Sequence, residues 1–321
     1  MTSQQQQSIP VANLQDFLSG DSARRKRFVE TVGSALHDLG FFALENHGVD
    51  HGLIDRAYGL AQNFFELSES TKKSYERLDW HGQRGFTSFG REHAKDSKAP
   101  DLKEFWHVGR EHWKRPAVAG SSRLHNLWPV ELPEFKTIML ELYSAMDRCS
   151  FSVLEACAEY LGEKTDLFTS IADDGDTILR VIHYPPVASE ADPASVRAAA
   201  HEDINLITLL CEATTGGLEL LQRDGSWRPV HALRGHIIVD SGDMIQNMTN
   251  GVLKSTTHRV VNPDNSRDRR FSMPFFVHPR GEASLNPLAS CIKSQGGKKL
   301  YPDITAGDYL AQRLREIGLT K

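Results

Sequence analysis

The sequence predicts a mainly β core with flanking helices. Before about Asp176, apolar residues recur at helical spacing, and after it the chain changes to short apolar runs separated by turn residues. The pair Asp224-Gly225 between Leu221 and Trp227 adds a hairpin signal, because these residue types tolerate the positive backbone angles of tight turns. With 321 residues, the chain is expected to form one main core with additions.

The first part of the chain is predicted to contain helices and one strand. Apolar residues at helical spacing predict a helix from Ala23 to Leu39, which Gly40 ends. A short buried strand from Phe41 to Leu44 follows, and Asp50 is suited to cap a second helix. Helical spacing returns from Pro133 to Leu161, which predicts a long spine helix.

Residues 77 to 130 are less regular, because glycine and proline interrupt any regular spacing of apolar residues. So long an irregular stretch within a compact domain is usually functional or mobile. We therefore expect a loop system there, and its part from Trp80 to Trp113 is a candidate cover for a binding site. Phe105 and Trp106 are candidate contacts to a bound substrate, with packing in the core as the alternative.

The later part of the chain is predicted to be rich in strands. Each short apolar run ends at turn residues, which is the pattern of strands in an all-β core. The runs are Thr177 to Tyr184, Asn205 to Cys211, Gly217 to Gln222, His236 to Val239, Thr256 to Val260 and Phe271 to Val277. A last helix is predicted from Ala306 to Ile317.

Charge and composition narrow the classes of partner. Lys and Arg total 37 against 42 Asp and Glu, for a net charge of −5, so the broad basic surface that holds nucleic acid is not expected. The four cysteines show no CxxC spacing, and the amino terminus resembles no signal peptide. No apolar stretch approaches the roughly 20 residues of a membrane span. We expect a cytoplasmic protein without membrane or nucleic-acid partners; the sequence specifies no oligomeric state.

His201-Glu202-Asp203 and the distant His258 form the most informative pattern. In a strand, residues two apart point to the same side, so His201 and Asp203 can reach one ion while Glu202 faces away. Two imidazoles and one carboxylate form a facial triad, which holds Fe(II) and leaves three coordination positions open. A single His-x-acid motif arises readily by chance, so the prediction depends on the residues that accompany it.

Those accompanying residues carry a family resemblance. His258-Arg259-Val260 is followed by Arg270-Phe271-Ser272, and Arg180 to Pro186 lies upstream. This combination resembles the isopenicillin N synthase-like family of Fe(II)- and 2-oxoglutarate-dependent dioxygenases. The resemblance extends over almost the whole chain through Ile9-Pro10-Val11, Gly40-Phe41-Phe42, Asn46-His47-Gly48, Asp240-Ser241-Gly242-Asp243 and Asn250 to Ser255.

The resemblance implies a fold and the roles of individual residues. The fold would be a double-stranded β-helix, a cupin-like jelly roll of two facing sheets. His201, Asp203 and His258 would bind Fe(II). Arg270 and Ser272 would hold the distal carboxylate of 2-oxoglutarate, which a guanidinium can meet with two hydrogen bonds. Tyr184 would contact the same cosubstrate.

The implied activity is that of an oxidoreductase. It would use Fe(II), 2-oxoglutarate and O2 to hydroxylate, desaturate or cyclise a small molecule, with release of succinate and CO2. An oxidase like isopenicillin N synthase, which uses no 2-oxoglutarate, is the alternative, and a non-catalytic jelly-roll binding protein is a more distant one.

Two further histidines are not assigned to the metal site. His47 is expected to pack rather than bind metal, and His183 replaces a second tyrosine found in many relatives.

These expectations divide the chain into four regions. Residues 1–130 are a mixed region with the candidate substrate cover, and residues 131–165 contain the spine helix. Residues 166–281 are the jelly-roll core that would hold Fe(II) and 2-oxoglutarate, and residues 282–321 form a helical segment at the carboxy terminus.

Overall fold

The computed structural model describes residues 9–80, 82–91, 102–116, 123–186, 197–211, 213–230, 234–261 and 268–316. The helices in these ranges are α1 (Leu14–Leu18), α2 (Ser22–Asp38), α3 (His51–Phe65), α4 (Glu69–Ser74), α5 (Phe135–Tyr160), α6 (Leu167–Ala172), α7 (Asp243–Met248), α8 (Ala289–Ser294) and α9 (Ala306–Glu316). The strands are β1 (Val11–Asn13), β2 (Phe41–Glu45), β3 (Gly85–Thr87), β4 (Glu104–Gly109), β5 (Ile178–Tyr184), β6 (Ala198–His201), β7 (Ile207–Leu210), β8 (Leu218–Leu221), β9 (Trp227–Pro229), β10 (Ile237–Ser241), β11 (His258–Val260), β12 (Arg270–Ser272) and β13 (Pro274–Val277).

The strands of the described residues form two sheets. The larger sheet has the order β1-β2-β10-β7-β13-β5-β4-β3, and β12 also pairs with β5. The smaller sheet has the order β6-β11-β8-β9. Apart from the parallel pair β1 and β2, neighbouring strands are antiparallel. Side chains from both sheets line one cavity. The predicted β core, a jelly roll flanked by helices, is confirmed.

Helix α5 is the spine of the helical layer. Its buried face includes Met139, Leu142, Met146, Val153 and Leu154, which recur at the spacing of one helical stripe. It packs against α2 and α3 on one side and contacts β4, β7 and β13 on the other. The helix predicted from Pro133 to Leu161 is therefore confirmed, and it lies between the outer helices and the larger sheet.

Local chemistry explains two further predicted features. The side chain of Asp50 accepts a hydrogen bond from the Leu53 amide at 2.7 Å, as expected for the cap of α3. At the predicted hairpin, Gly225 has a φ of 83°, and β8 pairs with β9 in the register Leu221 to Trp227.

The expectation of a continuous loop system over residues 77–130 is wrong for two described segments. β3 and β4 pair with each other, and β4 pairs with β5 along its whole length. All six residues of β4 are buried, so the strand lacks the alternation that would have revealed it. Residues 81, 92–101 and 117–122 of the predicted loop system lie outside the described residues.

The division into four regions stays a prediction. Strands from its first region, β1 to β4, join strands of its third region in the larger sheet. None of the helices in the described ranges is both long enough and apolar enough to cross a membrane.

Candidate metal centre

The structure brings His201, Asp203 and His258 together at the end of the β6 and β11 pair. His201 ends β6 and lies opposite His258 of β11, while Asp203 follows two residues after the strand. One ligand atom from each residue lies within 4.8 Å of the others. The Nε2 atoms of His201 and His258 are 3.7 Å and 3.8 Å from Oδ1 of Asp203. This set of two imidazoles and one carboxylate fits the facial triad that holds Fe(II).

Backbone carbonyls fix the orientation of both imidazoles. Nδ1 of His201 lies 2.7 Å from the Ala199 carbonyl, and Nδ1 of His258 lies 3.1 Å from the Thr256 carbonyl. A carbonyl oxygen only accepts, so each Nδ1 carries the proton and donates it. Each Nε2 is left with a lone pair directed at the shared centre, as metal binding requires.

Electrostatics also favours neutral imidazole at the centre. Desolvation, and then the neighbouring His258, lower the pKa of His201 to about 4, although the charge of Asp203 opposes this shift. A neutral histidine binds a metal ion, whereas a protonated one does not.

The carboxylate of Asp203 is held by residues outside the motif. Its Oδ2 accepts a hydrogen bond from the Thr208 hydroxyl, and its backbone carbonyl accepts one from the Asp243 amide at 2.8 Å. The buried Asp240 carboxyl also hydrogen-bonds it. Burial and the charge of Asp203 raise the pKa of Asp240 well above its ordinary value.

Gly242 allows close approach to the backbone of the segment that carries Asp203. A Cβ at this position would lie 2.2 Å from Oδ1 of Asn205 and 2.8 Å from the Asp203 carbonyl. A larger residue would therefore displace the segment that carries Asp203, which gives the Asp240-Ser241-Gly242-Asp243 motif a steric reason for its glycine.

The predicted cosubstrate residues line the same cavity as the triad. Arg270 and Tyr184 are opposite each other in the β12 and β5 pair, and the guanidinium of Arg270 lies 4.9 Å from the Tyr184 ring centroid. Arg270 donates to the Ser272 hydroxyl at 3.2 Å and to the Thr215 carbonyl at 3.2 Å. The side chains of Tyr184, Arg270 and Ser272 are buried, and all three line this cavity.

The two aromatic candidates for substrate contact point in opposite directions. Trp106 is fully buried, and its ring centroid lies 4.7 Å from that of Phe64 in the helical core. Phe105, its neighbour on β4, packs against Ile182 and Tyr184 of the cavity wall. Because Phe105 is opposite Ile182 in the β4 and β5 pair, it lies beside the cavity wall on the same face of the sheet, whereas Trp106 lies on the other face.

The two separate histidines lie away from the triad. His183 is buried, with Nδ1 2.8 Å from the Glu104 carboxylate and its ring stacked on Phe271. His47 is buried and accepts a hydrogen bond from the Val49 amide at 3.1 Å. His47 also lines a separate cavity of about 460 Å³, but the triad is the group of potential ligands that converges within the described residues.

Sequence reasoning missed several residues of the site. Lys103, Arg180, Asp240 and Phe276 line the cavity, and Thr208 holds Asp203. A signal existed for Arg180, which precedes Tyr184 by four residues in a predicted strand and therefore shares its face. Asp240 and Thr208 gave no comparable signal, because their contact with Asp203 depends on how the strands are paired.

Two family models match the chain. Residues 9–131 match the amino-terminal domain described as that of non-haem dioxygenases in morphine synthesis. Residues 175–279 match the 2OG-Fe(II) oxygenase superfamily. This second match contains all three triad residues and the predicted cosubstrate residues.

Curated and solved relatives match over nearly the whole chain. A 2-oxoglutarate-Fe(II) type oxidoreductase of Aspergillus fumigatus is 30% identical over 316 residues, covering 96% of this chain and 93% of the relative. A putative 2OG-Fe(II) oxygenase family protein from Caulobacter crescentus is 38% identical, with a TM-score of 0.84 and coverage of 96% and 99%. A Neurospora crassa protein in complex with alpha-KG (2-oxoglutarate) and thymine is 28% identical, with a TM-score of 0.85 and coverage of 98% of both chains.

Proposed function

Because the chain belongs to the 2OG-Fe(II) oxygenase superfamily, we propose that His201, Asp203 and His258 bind its catalytic iron and that a small organic molecule is oxidised beside it. The observation that carries this proposal is the convergence of the three ligand atoms within 4.8 Å at a cavity that also contains Arg270. Bound iron and 2-oxoglutarate supply the activation of O2, with formation of succinate and CO2.

The residues of the chain orient the reactants. Arg270 meets the distal carboxylate of 2-oxoglutarate, and Ser272 and Tyr184 provide further polar contacts beside it. The Asp240 carboxyl hydrogen-bonds Asp203, which helps to keep that carboxylate in one orientation. The apolar walls formed by Ile182, Leu210, Leu218, Val260 and Phe276 limit the access of bulk water to the reaction.

The substrate is proposed to be a small molecule. The related Neurospora crassa protein was crystallised with thymine, a single nucleobase, in addition to alpha-KG. The triad of this chain lies within a cavity between two sheets, which admits a small molecule and excludes a folded polymer. We expect hydroxylation, or desaturation or ring closure of such a substrate.

Two measurements test the assignment. Purified protein with Fe(II), 2-oxoglutarate and O2 is expected to form succinate, and the anaerobic complex is expected to show a weak visible charge-transfer band. His201→Ala, Asp203→Ala and His258→Ala should each abolish the band. His37→Ala, in the exposed last turn of α2, is the matched control and should retain it. A band that persists in His258→Ala would remove that residue from the ligand set.

The comparisons do not favour the oxidase alternative. The Aspergillus fumigatus relative is named for 2-oxoglutarate, and the Neurospora crassa protein was solved with alpha-KG bound. Formation of one succinate for each 2-oxoglutarate consumed would agree with the proposal. Oxygen consumption without any requirement for 2-oxoglutarate would favour the oxidase instead.

A further inference from the structure

His183 is a buried histidine on the helical side of the larger sheet, and the proposed function leaves it without a role. It lies on β5 directly before Tyr184, and only 5% of its surface is exposed. Successive residues of a strand point to opposite faces, so Tyr184 faces the cavity and His183 faces the helices. The partners of this imidazole therefore indicate what it can do from behind the cavity wall.

A buried ion pair holds one side of the imidazole. Lys72 of α4 donates to the two carboxylate oxygens of Glu104 at 3.0 Å and 2.7 Å. Glu104 lies opposite His183 in the β4 and β5 pair, and its Oε1 is 2.8 Å from Nδ1 of His183. A carboxylate that is paired with a lysine only accepts hydrogen bonds, so Nδ1 of His183 carries a proton and donates it.

Arg269 contacts the other side of the imidazole. Its Nε donates to Nε2 of His183 at 3.3 Å, and its Nη1 donates to Glu66, after the last turn of α3, at 2.8 Å. Because a guanidinium only donates, Nε2 is the unprotonated nitrogen of His183. The imidazole is therefore neutral, and both of its nitrogens have partners. A buried polar network in which every hydrogen bond is made holds its members in one arrangement.

These contacts lie on both sides of Arg270 along the chain. Phe271 is opposite His183 in the β5 and β12 pair, and the two rings stack with centroids 4.8 Å apart and 16° between their planes. His183 thus contacts the residue before Arg270 through a hydrogen bond and the residue after it through its ring face. Arg270 itself points to the opposite face of the strand and lines the cavity.

We propose that His183 is a positioning residue for the cosubstrate, because it fixes β12 from the helical side and so sets where the Arg270 guanidinium meets 2-oxoglutarate. This inference rests on the proposed function and adds to it a residue that touches neither reactant. Among the described strands, the three-residue β12 pairs with β5 alone, so contacts on its outer face add to the pairing that places it. A displaced guanidinium binds a carboxylate less well, since hydrogen bonds depend on distance and direction.

Binding of an unreactive cosubstrate analogue tests this role without turnover. The protein is loaded with Mn(II), and the dissociation constant of N-oxalylglycine, an analogue of 2-oxoglutarate, is measured by calorimetry. His183→Phe keeps a ring against Phe271 but removes both nitrogens, so Arg269 loses its acceptor. The dissociation constant should rise about 3- to 10-fold, the range for losing one ordinary hydrogen bond.

Steady-state kinetics gives a second measurement of the same effect. In the succinate assay with Fe(II), His183→Phe should raise the KM for 2-oxoglutarate by the same factor. The kcat at saturating 2-oxoglutarate should stay unchanged, and so should the affinity for Mn(II), because His183 is not among the three converging ligands. A general loss of structure would not separate KM from kcat in this way.

Two further variants separate positioning from support of the fold. His183→Gln restores an amide that can donate to Glu104 and accept from Arg269, and it should recover part of the affinity for N-oxalylglycine. Arg269→Gln, at a side chain that is 36% exposed, should weaken the analogue as His183→Phe does. If the two residues act as one unit, the double variant should bind no more weakly than the weaker single variant. Arg25→Gln is the matched control and should bind normally, because Arg25 is 37% exposed and pairs with Glu159 between α2 and α5.

The contrary results are distinct. If His183→Phe leaves the dissociation constant of N-oxalylglycine and the KM unchanged, the inference is wrong. If it lowers kcat at saturating 2-oxoglutarate or weakens Mn(II) binding as much, His183 supports the whole site and does not position Arg270. Effects of His183→Phe and Arg269→Gln that add would mean that Arg269 acts through its charge and not through the imidazole, which also contradicts the inference.

Failure of a variant to fold still leaves a decision. If His183→Phe does not fold, the folded Arg269→Gln protein decides, and normal binding of N-oxalylglycine by it would overturn the inference. Failure of the unmodified protein to bind Mn(II) and N-oxalylglycine would overturn the proposed function as well.

Discussion

At the scale of single residues, the proposed metal ligands are held by neighbours that the sequence motif does not include. Backbone carbonyls set the protonated nitrogen of His201 and His258, and Thr208 and Asp240 hold the carboxylate of Asp203. Such neighbours commonly change metal affinity about 10- to 100-fold when they are replaced. The centre is therefore a group of oriented ligands.

Replacing Arg270 should weaken the binding of 2-oxoglutarate and leave the binding of Fe(II) unchanged. Arg270→Gln is expected to raise the apparent KM for 2-oxoglutarate about 10- to 150-fold, the range for losing a hydrogen bond to a charged group. Fe(II) affinity should stay near normal, because Arg270 is not among the three converging ligands. Ser272→Ala should have a smaller effect in the same succinate assay. An unchanged KM for 2-oxoglutarate in Arg270→Gln would contradict the assignment.

His47 should make the stability of the metal-free protein depend on pH. Burial, and then the charge of His51, lower the pKa of His47 below its ordinary value near 6.5, so the folded state favours the neutral ring. Below about pH 6.5 the unfolded chain binds more protons at this residue, so its contribution to stability is present above that pH and is lost as the pH falls.

Urea unfolding with a chelator present measures this effect. His47→Asn keeps an acceptor for the Val49 amide but cannot titrate. The difference in free energy of unfolding between the original protein and the variant should therefore shrink from about pH 8 to about pH 5. A constant difference over this pH range would mean that protonation of His47 does not change the free energy of unfolding.

Candidate site residues could be predicted from the sequence where side-chain chemistry and order along the chain coincide. His201, Asp203, His258 and Arg270 were predicted because their side chains suit iron or carboxylate binding and occur in the order of a known family, and the structure brings all four to one cavity. Lys103 was missed because its position in the cavity wall depends on which strands are neighbours. Such pairing is set by the packing of the whole core, which one segment does not reveal.

At the scale of elements, the C-terminal helix α9 contacts the segment that carries Asp203. The hydroxyl of Tyr309 donates to Oδ2 of Asp243 at 3.1 Å, and Arg313 approaches the same oxygen at 3.5 Å. The amide of Asp243 in turn donates to the backbone carbonyl of Asp203. Helix α9 thus helps to position Asp203, one of the proposed metal ligands, although it lies outside both sheets.

Removing the Tyr309 hydroxyl should weaken this connection. Tyr309→Phe is expected to lower the free energy of unfolding by about 1 kcal/mol and to speed hydrogen exchange at the Asp243 amide. Tyr160→Phe, in the last turn of α5, serves as the control and should leave this amide unchanged. If both variants leave exchange at Asp243 unaltered, α9 is a cover with no influence on the metal segment.

Long helices and several short strands were predicted near their observed bounds, whereas some of the shortest strands were not. Helices α2, α3 and α5 present several turns of one apolar stripe, which a pattern can reveal. Strands β3 and β9 have three residues each, too few for any period. The predicted strand from Phe271 to Val277 is divided at Met273 into β12 and β13, a break that its continuous apolar sequence does not indicate.

At the scale of the whole molecule, Trp106 joins the helical layer to the larger sheet. Its ring lies against Phe64 of α3 and Phe135 of α5, with centroid distances of 4.7 Å and 5.5 Å. Tyr75, after α4, is 5.5 Å away. This aromatic cluster holds β4 between the helices and the cavity, so the described part of the candidate cover includes scaffold.

Trp106→Ala should therefore destabilise the protein without changing its chemistry. A large buried aromatic replaced by alanine costs about 3 to 5 kcal/mol, which thermal or urea unfolding can measure. At a temperature where the variant is folded, the ratio of succinate to oxidised product should equal that of the original protein. Succinate formed without product would instead assign Trp106 to the coupling of the two half-reactions.

The buried cysteines offer a way to follow the opening of this molecule. Cys149 and Cys157 of α5 and Cys211 after β7 are buried thiols, and desolvation raises the pKa of each to about 12. A thiol reagent attacks only exposed thiolate, so labelling these positions requires the surrounding structure to separate first. Their rates of alkylation therefore report how often the contact between the spine helix and the larger sheet opens, and Cys291, in the six-residue helix α8, should be labelled before them.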